Sequence, residues 1–268
     1  MEAAAIEAAE ARAWADMYAA APPEYARAAG VRTREVAGAL VLSWAATGRR
    51  YFSRAIGLGV AAPATPEALD RILDGWAEEG ISAFLLQSLP DCAPAGYEGW
   101  LRERGLRPFD VQERVVRGGE PLGPLPAPER ELVVERVTGE SAEEWSEFLQ
   151  RVYRLDTGRW LHELHDRPGW HQYVAREDGA IVAARGAYIG PDRTAWWGMD
   201  GPVPGVMWDD YEPDAALCAF MVRDGLARGA RAFIADIEAP SPALDTPAYA
   251  TFASLGFRRP YARTHWTR

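Results

Sequence analysis

The sequence predicts an α/β (α+β) fold of two tandem domains, each a mixed, mostly antiparallel twisted sheet flanked by helices. Three observations predict it. Helical stripes such as Leu69, Ile72, Leu73 and Trp76 alternate with short apolar runs such as SAFLLQSL, a pattern of strands and helices sharing one core. Two stretches recur in the same order: GISAFLL at 80–86 is answered by GARAFIA at 229–235, and LRERGLRP at 101–108 by FASLGFRRP at 252–260. Between the copies lies GGEPLGPLPAP at 118–128, whose glycines and prolines mark a linker. The expected division is a first domain over 1–117, a linker over 118–130 and a second domain over 131–268, with the working cleft in the second.

Taken in order, residues 2–20 read as an Ala/Glu/Arg-rich helix ended by Pro22 and Pro23, and 24–29 as a short second helix. TREVAGALVLSWAATG reads as a strand or hairpin, and YFSRAIGLGV as the next strand. Thr65 caps a helix that has Pro66 at its first position; SAFLLQSL is a buried strand, YEGWLRERG a helix and FDVQERVVR a closing strand. Beyond the linker ELVVERV is a strand. Ser141 and Glu144 form a capping box ahead of the stripe Trp145, Phe148, Leu149 and Val152, and a further helical piece spans 159–166. HQYVARE, AIVAARGAYIG and TAWWGM form a three-strand meander whose first turn is Asp178–Gly179. Pro213 opens a helix with Ala216, Leu217, Phe220 and Met221 on one face, and Phe233, Ile234 and Ile237 suit the buried strand that follows.

Composition excludes several functions. A net charge of -10 would repel nucleic acid and anionic membranes, so neither is an expected partner; a small-molecule substrate is, with the protein as monomer or homodimer. Every cationic side chain among the 29 Lys+Arg positions is arginine, which rules out Schiff-base, PLP-lysine and P-loop-lysine chemistry. Cys92 and Cys218 have no metal or redox spacing and read as reduced core thiols. The first residues, MEAAAIEAAEARAW, are acidic and lack a continuous apolar core, so a cytoplasmic location is expected.

The order of elements, with Tyr249, Phe252, Gly256 and Phe257 in PAYATFASLGF and the weaker WLRERGLRP of the first half, resembles the tandem members of the GNAT acyltransferase superfamily. The resemblance implies an acyl-CoA site at the turn before the central helix, where loop N–H groups and the helix dipole hold the diphosphate. At that place stands Asp209-Asp210-Tyr211-Glu212-Pro213-Asp214, without a glycine and with four carboxylates; the first half has Ala61-Ala62-Pro63-Ala64-Thr65-Pro66. A like-charge contact at about 4 Å costs roughly 1 kcal/mol in water and more in a dry cleft. The loop is therefore expected to be degenerate for acyl-CoA, and no bound cofactor is expected. The resemblance also implies a tyrosine general acid four residues before Gly256; that position is Phe252, with Tyr249 one turn earlier.

The expected chemistry follows from charge. Asp209, Asp210 and Glu212 are candidate acids or electrostatic stabilisers, while simple helix capping, at about 0.3 to 1 kcal/mol each, is the competing reading. His162 and His165, one turn apart in HELHDRPGWH, are candidate bases; a metal is not expected, because His171 and Asp166 complete no standard spacing. Asp200, Asp236 and Glu238, with the aromatic wall of Trp196, Trp197, Trp208, Tyr211 and Tyr249, would line a cleft suited to a cationic ligand. Three functions remain open: an acid/base enzyme acting on an amine-bearing or cationic small molecule without the ordinary acyl-CoA site, an acyl-CoA-dependent N-acyltransferase with an unconventional donor site, and a non-catalytic binding protein.

Overall fold

A computed structural model describes residues 1–90, 92–201, 211–238 and 247–268, the side chains of Glu238 and Pro247 excepted. The chain forms two compact units, Met1–Arg114 with Pro260–Arg268, and Val115–Arg259.

The first unit begins with α1 (Ala3–Ala19) and α2 (Pro23–Ala29), followed by β1 (Val31–Val36), β2 (Ala39–Trp44) and β3 (Arg54–Ile56). Then come α3 (Pro66–Glu78), β4 (Leu85–Ser88), α4 (Tyr97–Glu103) and β5 (Arg107–Gly118), the last four residues of which belong to the second unit. Thr65 Oγ1 accepts the Ala68 N–H at 3.1 Å, and Leu69, Ile72, Leu73 and Trp76 of α3 are buried against the sheet. Glu7 and Glu10, one turn apart on α1, are buried against Arg54, Arg114 and Arg263. Burial alone would raise the Glu10 carboxyl, but the guanidiniums hold it well below the usual carboxylate range.

The second unit contains β6 (Val133–Arg136), α5 (Ala142–Tyr153), α6 (Trp160–Glu163), β7 (Trp170–Glu177), β8 (Ala180–Ile189), β9 (Thr194–Gly201), α7 (Glu212–Ala227), β10 (Ala232–Glu238) and α8 (Pro247–Ser254). β6 through β9 pair antiparallel, and β9 with β10 parallel. The final strand is β11 (Arg258–Thr267). Alternation splits the sheet's faces. Tyr173, Ala183, Ala187 and Trp197 pack with Leu217 and Met221 of α7 and Phe252 of α8, whereas Val174 and Ala184 pack with Trp145 and Leu149 of α5. Strand order is β1-β2-β3-β4-β11-β5 in the first unit, and the end of β5 continues as β5-β10-β9-β8-β7-β6 in the second. The first unit is thus completed by β11, a strand from the far end of the sequence.

Several local expectations differ from what forms. Ser141 does not cap α5: its hydroxyl accepts the Thr138 N–H at 3.0 Å, and Glu144 receives two N–H bonds from Arg176 at 2.9 and 2.6 Å. The strand read over 51–60 shrinks to Arg54–Ile56, because residues 50–52 make a 3₁₀ turn and Gly57 and Gly59 take φ of +85° and +78°. Helix α6 ends at Glu163, so His162 and His165 do not share one regular helix. The Gly/Pro segment does pack: Leu122 and Leu125 lie against the second unit's core, and Arg130 pairs with Glu177.

Candidate functional site

β9 and β10 start side by side, Thr194 opposite Ala232, and their pairing ends at Trp196 and Ile234 although β9 runs on to Gly201 and β10 to Glu238. The sheet therefore parts at the ends of these two strands. A bulge sits at the same level: from Ala184 to Gly186 on β8 the partner advances from Gly201 to Gly198, and the extra residue, Met199, has φ +54°. Gly186 leaves room for the end of that side chain, since a Cβ there would fall 2.3 Å from Met199 Cε and the methyl would have to move. α7 and α8 both begin on the side where the strands end. α5 closes there too, Tyr153 donating to the Asp200 carbonyl at 2.6 Å.

Under the first turn of α7 lies a buried ion pair. Arg185 of β8 donates from Nε and Nη2 to the two oxygens of Asp214 at 2.7 and 2.9 Å, both side chains being at most 5% exposed. Cys218, one turn on, has its Sγ 3.7 Å from Asp214 Oδ2. Burial works against the Arg185 charge, but Asp214, with Asp200 further off, more than offsets it and holds the guanidinium protonated. Burial and the nearby Asp214 likewise keep the Tyr211 and Cys218 protons bound. Glu212 accepts the backbone N–H of Glu129. Of the four carboxylates in 209–214, Asp214 is thus neutralised and Glu212 is turned to main chain; Asp209 and Asp210, like Trp208, lie outside the described residues.

The histidines do not join this group. His162 Nε2 is 3.7 Å from Glu143 Oε2 in the first turn of α5, while Asp200 is met by Tyr153 at the last turn. Ten helical residues, about 15 Å, separate the two places. His165 follows α6 with a buried Nδ1 that has no hydrogen-bond partner among the described residues. His171 belongs to the opposite face of the sheet, near Arg228 and Asp224 at the far end of α7; burial, then Arg228, pulls its imidazole down to about 4. Among the described residues no group of three or more His, Cys, Asp or Glu is placed to hold a metal.

The adjacent tryptophans point to opposite faces and both are buried. Trp196 packs edge-on to Trp170, and Trp197 against Phe233, Phe252 and Phe257. Asp200, Tyr211, Asp236 and Tyr249 are half-buried, and each lies at a strand end or helix start on the parted side. Arg259 stands 4.3 Å over the Tyr249 ring. Glu238 ends β10, its side chain outside the described set.

Sequence reasoning missed Arg185, whose signal was a lone charge at an inward position of the apolar run AIVAARGAYIG. It also missed His265 in the first unit, fully buried with Nδ1 2.6 Å from Asp110 Oδ1 and Nε2 3.2 Å from Gln87 Nε2. Both ring nitrogens are engaged there, as befits a structural histidine.

No protein-family model matches the chain, and no curated protein matches it in sequence. Solved structures do match. A GCN5-related N-acetyltransferase from Kribbella flavida is 17% identical, with 99% of this chain and 95% of that chain covered and a TM-score of 0.58. One from Sphaerobacter thermophilus is 17% identical over 85% of this chain and 80% of that chain, TM-score 0.55. A tandem GNAT protein from the clavulanic acid biosynthesis pathway is 14% identical over 85% and 77%, TM-score 0.52.

Proposed function

We propose, since this chain has the fold of tandem GNAT proteins, that its second unit transfers an acyl group from an acyl-CoA thioester to the amine of a small molecule. The observation that carries this reading is the parting of β9 from β10 beyond Trp196 and Ile234, on the side where α7 begins. The electrostatic objection to a diphosphate there weakens once Asp214 is paired with Arg185 and Glu212 is turned to Glu129. The thioester supplies an activated acyl carbon. The chain supplies position, charge and proton transfer.

An ammonium substrate is drawn by the carboxylates of Asp200 and Asp236 at the strand ends, one of which takes its proton so that the free amine can attack. Tyr249, in the first turn of α8, is assigned the return of a proton to the departing thiolate, because Phe252 is buried among Trp197 and Phe257 and carries no acid. His162 and His165 are left out of the transfer step, since they lie by the other end of α5. Calorimetric titration with acetyl-CoA should give a micromolar complex, and thiol release over a panel of small amines should find a substrate. Tyr249→Phe should then lower kcat more than about tenfold with little change in KM. No heat up to about 1 mM acetyl-CoA would overturn the reading.

Pro213 favours a second reading, since it removes a backbone donor from the first turn of α7. On that reading the same opening works on a cationic molecule without a thioester, and the titration decides between the two.

A further inference from the structure

We infer that Arg259 is a positioning residue for Tyr249: lying over the phenol ring, its guanidinium stabilises the phenolate left when Tyr249 gives its proton to the departing thiolate. This rests on the acyl-CoA reading above, in which Tyr249 is that acid.

The pairing is local. Tyr249 is the third residue of α8 and packs half-buried against the second unit's core. α8 ends at Ser254, Gly256 takes φ +81°, and the Phe257 N–H bonds back to the Phe252 carbonyl at 2.9 Å, so the chain reverses into β11. Arg259, the second residue of that strand, sets its Cζ 4.3 Å from the centroid of the Tyr249 ring and is itself exposed. Over a neutral phenol such a contact is a cation–π pair, weak at an exposed site.

In the transfer step it becomes an ion pair. When the tetrahedral intermediate collapses, the C–S bond breaks with its electron pair going to sulfur. The Tyr249 hydroxyl proton passes to the same sulfur, a full negative charge remains on the phenol, and water later returns the proton. A contact stronger after the proton leaves than before makes Tyr249 a stronger acid and favours the transition state over the ground state. The carboxylates on this side of the sheet, Asp200 and Asp236, oppose a phenolate, so a cation is needed to offset them. α8 itself, PAYATFAS, carries no charge. Arg117 donates from Nε to the Leu255 carbonyl beyond the helix's far end, and Arg185, 6.0 Å from the Phe252 ring, is bonded to both oxygens of Asp214. Arg258 alternates to the other face of β11. Among the described residues, Arg259 is the cation set against this ring.

The test uses the full chain as wild type, Arg259→Gln, Arg259→Lys and Tyr249→Phe. NMR of chains labelled at the tyrosine Cζ carbon follows ionisation of the Tyr249 phenol without any substrate, its signal being identified by its loss in Tyr249→Phe. In Arg259→Gln that phenol should ionise about half a pH unit or more higher than in wild type, as removal of one charge from a partly exposed site predicts; Arg259→Lys should stay close to wild type. Once an amine substrate is found, Arg259→Gln should lower kcat roughly three- to tenfold with KM for both substrates little changed. The alkaline limb of kcat should move up with the phenol, and Arg259→Lys should restore both. A merely structural role would lower kcat without moving that limb. Added to Tyr249→Phe, Arg259→Gln should cost nothing further. Equal ionisation in Arg259→Gln and wild type, a loss in KM instead of kcat, or a full further loss on top of Tyr249→Phe overturns the inference and leaves acyl transfer standing. Absence of acetyl-CoA binding by wild type overturns the parent reading, and the role of the pair with it, even where the phenol shifts as expected.

Discussion

His171 shows what burial without a sufficient countercharge does to a titrating side chain. Its neighbours are Arg228 and Arg136, which disfavour its cation, and Asp224, which favours it but is already bonded to Arg228 at 2.6 Å and to the Tyr173 hydroxyl at 2.7 Å. In the folded chain the imidazole takes its proton only near about 4, against an ordinary 6.5. Between those values the unfolded chain binds a proton that the native state does not, so stability falls as pH drops from about 6.5 toward 4 and is level above. Because the ring is partly exposed and screened, the loss should be on the order of 1 to 2 kcal/mol rather than the full shift. Urea unfolding of wild type and His171→Gln at about pH 7.5 and about pH 5 checks this: the variant should lose about 1 kcal/mol less between them, and equal losses would contradict it. Residue by residue, the sequence displayed which groups carry charge but not which way they face. The run Asp209 to Asp214 reads as one acidic loop, yet Asp214 is buried on a cation 29 positions earlier in the chain. That distance in sequence is why spacing arguments could not find it.

The helix starts make the same point with hydroxyls. Thr65 and Ser141 both precede an amphipathic helix, and both resemble a cap on paper. Only Thr65 accepts an N–H of the first turn; Ser141 bonds back to Thr138, and its supposed partner Glu144 is held across the sheet edge by Arg176. Thr65→Ala should therefore cost about 1 kcal/mol, and Ser141→Ala no more than a few tenths. Denaturant midpoints of the two variants measure this directly, and equal losses would restore the capping box. Elements with a strong local signal were legible: Asp178 and Gly179 take φ of +50° and +80° and turn the β7–β8 hairpin as their identities suggest. Those decided by tertiary fit were not. β3 is three residues long because left-handed glycines stop it, and α6 is a single turn that ends at Glu163 although Trp160 is buried.

The repeat in the sequence and the compact unit in space are different divisions of this chain. Residues 118–130 divide two copies of one pattern, but the last strand of the second copy is built into the unit that holds the N-terminus. There Thr264, His265 and Trp266 stand opposite Ser88, Gln87 and Leu86 of β4. Arg263 helps neutralise Glu7 and Glu10 of α1, His265 meets Asp110, and Trp266 donates to Ser88 at 2.9 Å from within the α3 and α4 core. Removing residues 260–268 would expose the edge of β4, leave a fully buried tryptophan site empty and take away one of the three cations that face two buried carboxylates. The first two losses alone are each worth several kcal/mol, more than a small unit can spare. Truncation at Arg259 should therefore unfold the N-terminal unit first, with amide hydrogen exchange rising across α1 and β4, more than 150 residues away in sequence, before it rises in β7 and β8. By the same logic residues 1–117 expressed alone should give no cooperative melt, and should regain one when residues 118–268 are supplied as a second chain. A well-folded 1–117 fragment, or a truncated chain whose exchange rises only next to the cut, would show that the returning strand is dispensable.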